Sequence, residues 1–339
     1  MTTKKLGGQT VAFASPPSIL GYANVVGKKE GEGPLASSFD LINQDDTFGE
    51  ASWEKAESAM QKLALQSALD KAKQSASTLD YIFAGDLLNQ CIASSFAMRG
   101  QQVPFFGIYG ACSTMSEGLC LAAMMMDGGF GQLAAVVASS HFCSAERQYR
   151  TPLEYGGQRT PTAQWTVTGS GSAILGSEGN GPYITHVTIG KIIDKGIKDA
   201  TNMGAAMAPA AYDTLTTHFK DTGRDPSFYD LIVTGDLGSL GREIVLDFFH
   251  GDGIDLTNFN DCGVLIYDLE GQDVHCGGSG CGCSAVVLTG YLLKGMRDGR
   301  WKNILFCSTG ALLSPTSTMQ GESIPGICHA VAISAQKEG

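Results

Sequence analysis

Apolar residues recur at helical spacing from Trp53 to Ser75, with Ala59, Leu63, Leu65, Ala68, Leu69 and Ala72 on one repeat. This pattern predicts an amphipathic helix. The run Asp80-Tyr-Ile-Phe-Ala-Gly-Asp86-Leu87 follows, short and apolar enough for a buried strand. A second short apolar strand, Val103 to Ile108, leads into Gly107-Ile-Tyr-Gly-Ala-Cys112-Ser-Thr-Met-Ser-Glu-Gly118. From Ser113 to Met126 the chain is almost uncharged and reads as a buried helix, and Leu133-Ala-Ala-Val-Val reads as the next strand. An earlier strand, Thr10-Val-Ala-Phe-Ala, precedes a loop of Gly, Lys, Glu and Pro from Gly27 to Pro34. Strands alternating with helices point to an α/β chain with a largely parallel sheet.

The same grammar returns later. Ala205 to Phe219 reads as a helix, and Asp230-Leu-Ile-Val-Thr-Gly-Asp236-Leu237 shares Asp-x-Ile-x-x-Gly-Asp-Leu with the strand at Asp80. Gly110-Ala-Cys112-Ser113 leads a helix to Asp127-Gly128 and then a strand. Cys281-Gly-Cys283-Ser284 leads a helix to Asp298-Gly299 and then the strand Ile304-Leu-Phe-Cys. Two matches in the same order indicate duplication rather than shared turn chemistry. The halves divide near Gly179-Asn-Gly181, into residues 1–180, which carry Cys112, and residues 181–339.

Charge and composition narrow the function classes. The net charge of −11 and sequence pI near 4.9 exclude a nucleic-acid binder. The segment Met1 to Gly8 lacks the apolar core of a signal peptide, and no apolar run approaches the ~20 residues that span a bilayer. Most of the ten cysteines lie inside apolar patterns, which suits a reducing compartment. The cluster His275-Cys276-Gly-Gly-Ser-Gly-Cys281-Gly-Cys283 does not have zinc-finger or zinc-ribbon spacing, and no metal site is expected.

The chemistry converges on Cys112. A thiol at a helix start meets unpaired N–H groups and the positive end of the helix dipole, which favour a thiolate or an anionic ligand. Ser113 and Thr114 would supply those N–H donors; the plain alternative is a small buried core cysteine. His141 ends the strand after the Cys112 helix, where strand ends line the crevice of doubly wound sheets. The following loop carries Glu146, Arg147, Tyr149 and Arg150, then Arg159, and arginines can grip a carboxylate bidentately. Asp86 and Asp236 occupy equivalent strand ends, where they cap the following turn or hold Ca²⁺.

A duplicated unit with a cysteine at the helix start of its first half resembles the thiolase/ketoacyl-synthase superfamily. Thr168-Gly-Ser-Gly171-Ser-Ala173-Ile-Leu175 and Ile304-Leu-Phe-Cys-Ser-Thr-Gly310-Ala resemble its glycine-rich closing strands. The resemblance implies a thiolase-like α/β fold, two duplicated βαβαβαββ halves in a layered αβαβα architecture. Narrower stretches are similar to the stage V sporulation family of thiolase-like proteins from endospore-forming bacteria. They are Gly110 to Gly118, Ala138-Ser-Ser-His141, Ala145-Glu-Arg147-Gln, Glu154-Tyr-Gly-Gly157, Pro161 to Gly169, Met203 to Ala210 and Asp230 to Leu237.

That family implies non-catalytic binding of dipicolinic acid (pyridine-2,6-dicarboxylate), free or as its Ca²⁺ chelate, with no other cofactor. The ligand would be taken into the developing spore and released at germination. The protein would work with other proteins of a channel complex at the spore inner membrane, as a peripheral homodimer. The expected ligand-binding residues are Cys112, Ser113, His141, Arg147 and Arg150. The strand after the nucleophile helix, Leu133 to Ala138, would be central or interfacial.

Condensing enzymes of the superfamily need a histidine and an asparagine beside the cysteine. The histidine position falls on Gly235, and Gly277 to Cys283 contains no asparagine. The degradative thiolases leave one alternative open, an acyl-CoA thiolase or acyltransferase using Cys112 with His275 and Cys307. A third reading is a scaffold with no ligand, in which Cys112 only packs.

Overall fold

The computed structural model describes residues 4–149 and 159–337. The first half contributes strands β1 (Lys5–Leu6), β2 (Thr10–Ala12), β3 (Ser18–Val26), β4 (Leu41–Ile42), β5 (Tyr81–Gly85), β6 (Phe105–Gly107), β7 (Leu133–Ser140), β8 (Trp165–Thr166) and β9 (Gly169–Gly176). The second contributes β10 (Tyr183–Thr188), β11 (Leu231–Thr234), β12 (Phe259–Asp261), β13 (Gly278–Ser279), β14 (Asn303–Ala311) and β15 (Gly326–Ser334).

The main sheet runs β12-β11-β14-β15-β10-β3-β9-β7-β5-β6. In the first half, β3 and β7 flank β9 antiparallel, and β7, β5 and β6 are parallel. In the second, β10 and β14 flank β15 antiparallel, and β14, β11 and β12 are parallel. The two runs have the same order and polarity. They meet where Tyr183 of β10 pairs with Ser18 of β3.

The expected helices form close to their predicted bounds: Trp53–Ala72, Thr114–Asp127 and Met203–Thr222. Trp53–Ala72 starts where the Ser52 side chain accepts from Lys55 N, a conventional N-cap. It packs on the outer face of β3, β9 and β7, while Met203–Thr222 packs on the outer face of β15 and β14 beside Gly238–Gly251. Thr114–Asp127 lies between the two runs, touching β5 and β7 on one side and β14 and β15 on the other. This explains its lack of charge: Met115, Leu119, Ala122, Ala123 and Met126 are all buried. A helix with sheets on both faces needs apolar residues nearly all round. The layers therefore read helix, sheet, helix, sheet, helix.

Several elements differ from the sequence reading. Strand β7 is central, bonded to β5 and β9, so it is not an interface. The edge of that run is β6. The stretch after His141 is a helix, Phe142–Tyr149, not a loop. No helix of the described residues is long and apolar enough to cross a membrane.

Candidate functional site

Strand β6 and the central helix are joined by a tight turn that presents Cys112. Ala111, just before it, has φ +50°, in the left-handed region that a residue with a Cβ seldom occupies. The turn is closed by its own bonds. Ser113 Oγ and Ser113 N donate to Gly110 O at 2.7 and 3.0 Å. Thr114 Oγ1 and Thr114 N donate to Ala111 O at 2.7 and 3.3 Å. The N–H groups expected to greet a ligand are thus already paired.

Cys112 is buried, and the Asp236 carboxylate at the end of β11 lies within electrostatic reach of its thiol. Asp236 is itself fully buried. It accepts from Thr309 Oγ1 at 2.9 Å, Gly280 N at 3.0 Å and Ser279 Oγ at 3.2 Å. Burial pushes the Asp236 carboxyl up to about 6, against which these donors work. Burial and the Asp236 charge push the Cys112 thiol well above the ordinary range. Position at a helix start does not overcome them. A second buried carboxylate, Asp261, accepts from Thr234 Oγ1, Leu237 N and Gly238 N at 2.7, 2.9 and 3.0 Å. Burial raises it to about 7.

The space that a catalytic histidine would need is closed. A Cβ on Gly235 would lie 3.0 Å from Ser308 Cα and 3.0 Å from Thr309 N, both backbone atoms. The segment 277–283 supplies two donors to Asp236 where an enzyme would need an amide.

His141 is buried, with Nε2 donating to Asp46 O at 2.7 Å and Nδ1 accepting from Cys143 N at 3.1 Å. Burial lowers its pKa, which keeps the ring neutral. Tyr109 and Tyr149 hydroxyls are 3.0 Å apart, and both are within electrostatic reach of Cys112. Tyr149 lies on the same helix as Arg147, which is paired with Glu54 and placed over the Trp53 ring. Arg150 and the Glu154–Gly157 stretch lie outside the described residues. Arg159 bonds Asp273 at 2.6 Å and stacks on Trp165.

Neither proposed acyltransfer partner is aimed at the thiol. His275, at φ +54°, has Nδ1 against Thr160 O and Nε2 3.3 Å from Asp273. Cys307 packs with Cys328 in the core under the outer helices of the second half. Its neighbour Phe306 faces the central layer, so the pleat turns Cys307 away. The thiols of Cys276, Cys281 and Cys283 donate to three separate carbonyls, of Pro161, Ser139 and Gly235. Asp86, the first-half counterpart of Asp236, accepts from Leu88 N, Ser94 N and Ser94 Oγ. It does cap the following turn; Asp236 instead ties the end of β11 to Thr309 of β14 and to Ser279 and Gly280.

Comparison with known proteins places this geometry. Residues 7–334 match the family described as stage V sporulation protein AD. Stage V sporulation protein AD of Bacillus subtilis (strain 168) is 44% identical over 329 residues, covering 97% of each chain. Among solved structures, 3-oxoacyl-[acyl-carrier-protein] synthase III from Aquifex aeolicus VF5 superposes with TM-score 0.59 at 12% identity, covering 94% of this chain and 99% of its own. Xanthomonas campestris OleA E117A bound with cerulenin superposes with TM-score 0.60 at 17% identity, covering 95% and 97%. At these identities the structural likeness carries the thiolase-like fold alone.

Proposed function

Because the chain belongs to the stage V sporulation protein AD family, and so to sporulation, we propose that it binds dipicolinic acid without catalysis. The observation that carries the non-catalytic part is the burial of the Cys112 thiol near the buried Asp236 carboxylate, with a glycine at 235 where a base would stand. A nucleophilic cysteine needs a base to take its proton or a positive field to stabilise the thiolate. Here the thiol faces a carboxylate, the opposite field. Gly235 leaves no histidine to reverse it, and His275 and Cys307 are engaged elsewhere.

Ligand binding is supported by family membership; the Tyr109 and Tyr149 rings, whose hydroxyls bond each other and Leu87 O, lie within electrostatic reach of Cys112. A planar aromatic acid asks for an apolar slot with a few convergent donors. Cys112, Tyr109 and Tyr149 supply the slot, and Arg147 on the same helix supplies a cation for one carboxylate. His141 and Ser113 serve as supports, His141 by holding the 46 backbone against the helix start. The ligand arrives free or as the Ca²⁺ chelate, for uptake into the developing spore and release at germination. The protein sits peripherally at the spore inner membrane, held by other proteins of a channel complex.

A homodimer is part of the proposal. The outer edge of β6 has no strand partner among the described residues. Phe105 and Phe106 there are 37% and 46% exposed. A second copy adding its own β6 would satisfy that edge and cover the rings.

Calorimetry with dipicolinate and its 3,4-dicarboxylate isomer tests the ligand. Selective heat from the 2,6-isomer, lost in Cys112→Ala with the melting temperature kept, is the expected result. Equal heats from both isomers would sink the proposal.

A further inference from the structure

A cleft of about 480 Å³ opens on the first-half side, far in the chain from the Cys112 turn. Its walls are the turn before Asp40, the last turn of the Trp53–Ala72 helix, and the end of the helix that begins at Cys281. That helix passes through a π-helical turn, Leu288–Leu292, before finishing at Arg297. Such turns are rare and recur at functional positions; this one carries Tyr291 into the cleft wall.

The lining is cationic in an acidic protein. Lys71, Lys294, Arg297 and Arg300 face two carboxylates, Asp40 and Asp298, leaving an excess of two positive charges. The whole chain carries −11. Asp40 acts as the organiser, since Lys71 and Lys294 approach its two oxygens at 2.6 and 2.9 Å. Lys294 also donates to Ser38 O at 2.6 Å. Arg297 bonds its neighbour Asp298, at 3.1 Å. Arg300 lies against the Tyr291 and Trp301 rings, with no carboxylate partner among the described residues. Tyr22 lies beneath, its ring 5.9 Å from Lys71 Nζ. Its buried hydroxyl has no hydrogen-bond partner among the described residues.

We propose that this cleft binds a phosphate monoester, free or as a lipid headgroup. The excess charge of two matches a group carrying −1.5 to −2 at neutral pH. Arg297 and Arg300 present planar forks for its oxygens. In a chain of net charge −11, this cleft is a place where cations outnumber carboxylates. The site is independent of dipicolinate binding, and either can fail without the other.

The test uses the full chain and the double variant Arg297→Gln with Arg300→Gln, which keeps side-chain bulk. Inorganic phosphate is titrated by calorimetry at low salt, and vesicles of phosphatidylcholine with or without phosphatidic acid are sedimented with the protein. Saturable binding of phosphate or of phosphatidic-acid vesicles, weakened at least tenfold in the variant, is expected. Phosphate without vesicles identifies a soluble ligand, and vesicles without phosphate a headgroup. Binding to neither, or equal binding by the variant, overturns the assignment.

Discussion

A buried thiol near an ionised, buried carboxylate gives up its proton at higher pH than one in water. Asp236→Asn removes that charge while keeping an acceptor. Alkylation of Cys112 by iodoacetamide at pH 8, followed by peptide mass, is expected to speed up severalfold in this variant. An unchanged rate would mean that burial alone protects the sulfur. Cys112 was legible in the sequence, since glycines flank it and an uncharged helix follows. Its charged neighbour was not. Asp236 looks like a strand-end capping residue until the halves pack and bring the end of β11 within reach of Cys112. Of the arginines expected to line the site, Arg147 pairs with Glu54, a residue that the helix Trp53–Ala72 supplies from a distance. Patterns along the chain do not reveal such cross-element pairs.

At the scale of elements, the Cys112 turn is held down by the end of β14. A Cβ on Gly310 would lie 2.4 Å from Gly110 O, so strand and turn touch backbone to backbone. Gly310→Ala should cost about 1–3 kcal/mol as the turn is pushed away. A urea titration measures this, and an unchanged midpoint would show that the contact is slack. Long periodic segments such as Trp53–Ala72 were recognisable because one face repeats. Strands β3 and β15 were missed. Gly21 and Asn24 break the apolar run of β3, and both residues owe their place to tertiary contacts. Gly21 sits where the Trp53–Ala72 helix presses closest, 2.5 Å from Ala68 O for an added Cβ. Asn24 exchanges two bonds with the Asp40 segment. The helix Gly238–Gly251 also escaped notice, its start being fixed by Asp261 rather than by a local cap.

For the whole molecule, duplication was the strongest signal, because Asp-x-Ile-x-x-Gly-Asp-Leu recurs at equivalent strands β5 and β11. The same burial that builds the central layer sets a pH response. Burial raises Asp236 to about 6, Glu30 and Asp261 to about 7, and Glu57 to about 8. The unfolded chain releases these protons near 4, so ionisation costs stability progressively as pH rises toward 8. Half-buried His186 and His329, lowered to about 4, and buried His218, lowered to about 3, act oppositely. They remain neutral in the fold, so their contribution grows as pH rises and is complete above the ordinary histidine value of 6.5. The two groups oppose each other below that pH, and only the carboxyls act above it. The melting temperature should therefore fall between pH 6.5 and 8, and a rise over that window would contradict the burial of these carboxyls. The proposed dimer is a whole-molecule feature too. Phe106→Lys at the edge of β6 should shift sedimentation from dimer to monomer.

The central claim is that this fold keeps a cysteine without using it as a nucleophile. Intact mass after incubation with acetyl-CoA at pH 7.5 tests it most directly. The account predicts an unmodified protein, with dipicolinate still bound by the same sample. An acetyl group on Cys112, appearing in the wild type and absent from Cys112→Ala, would contradict it and make the protein an acyltransferase.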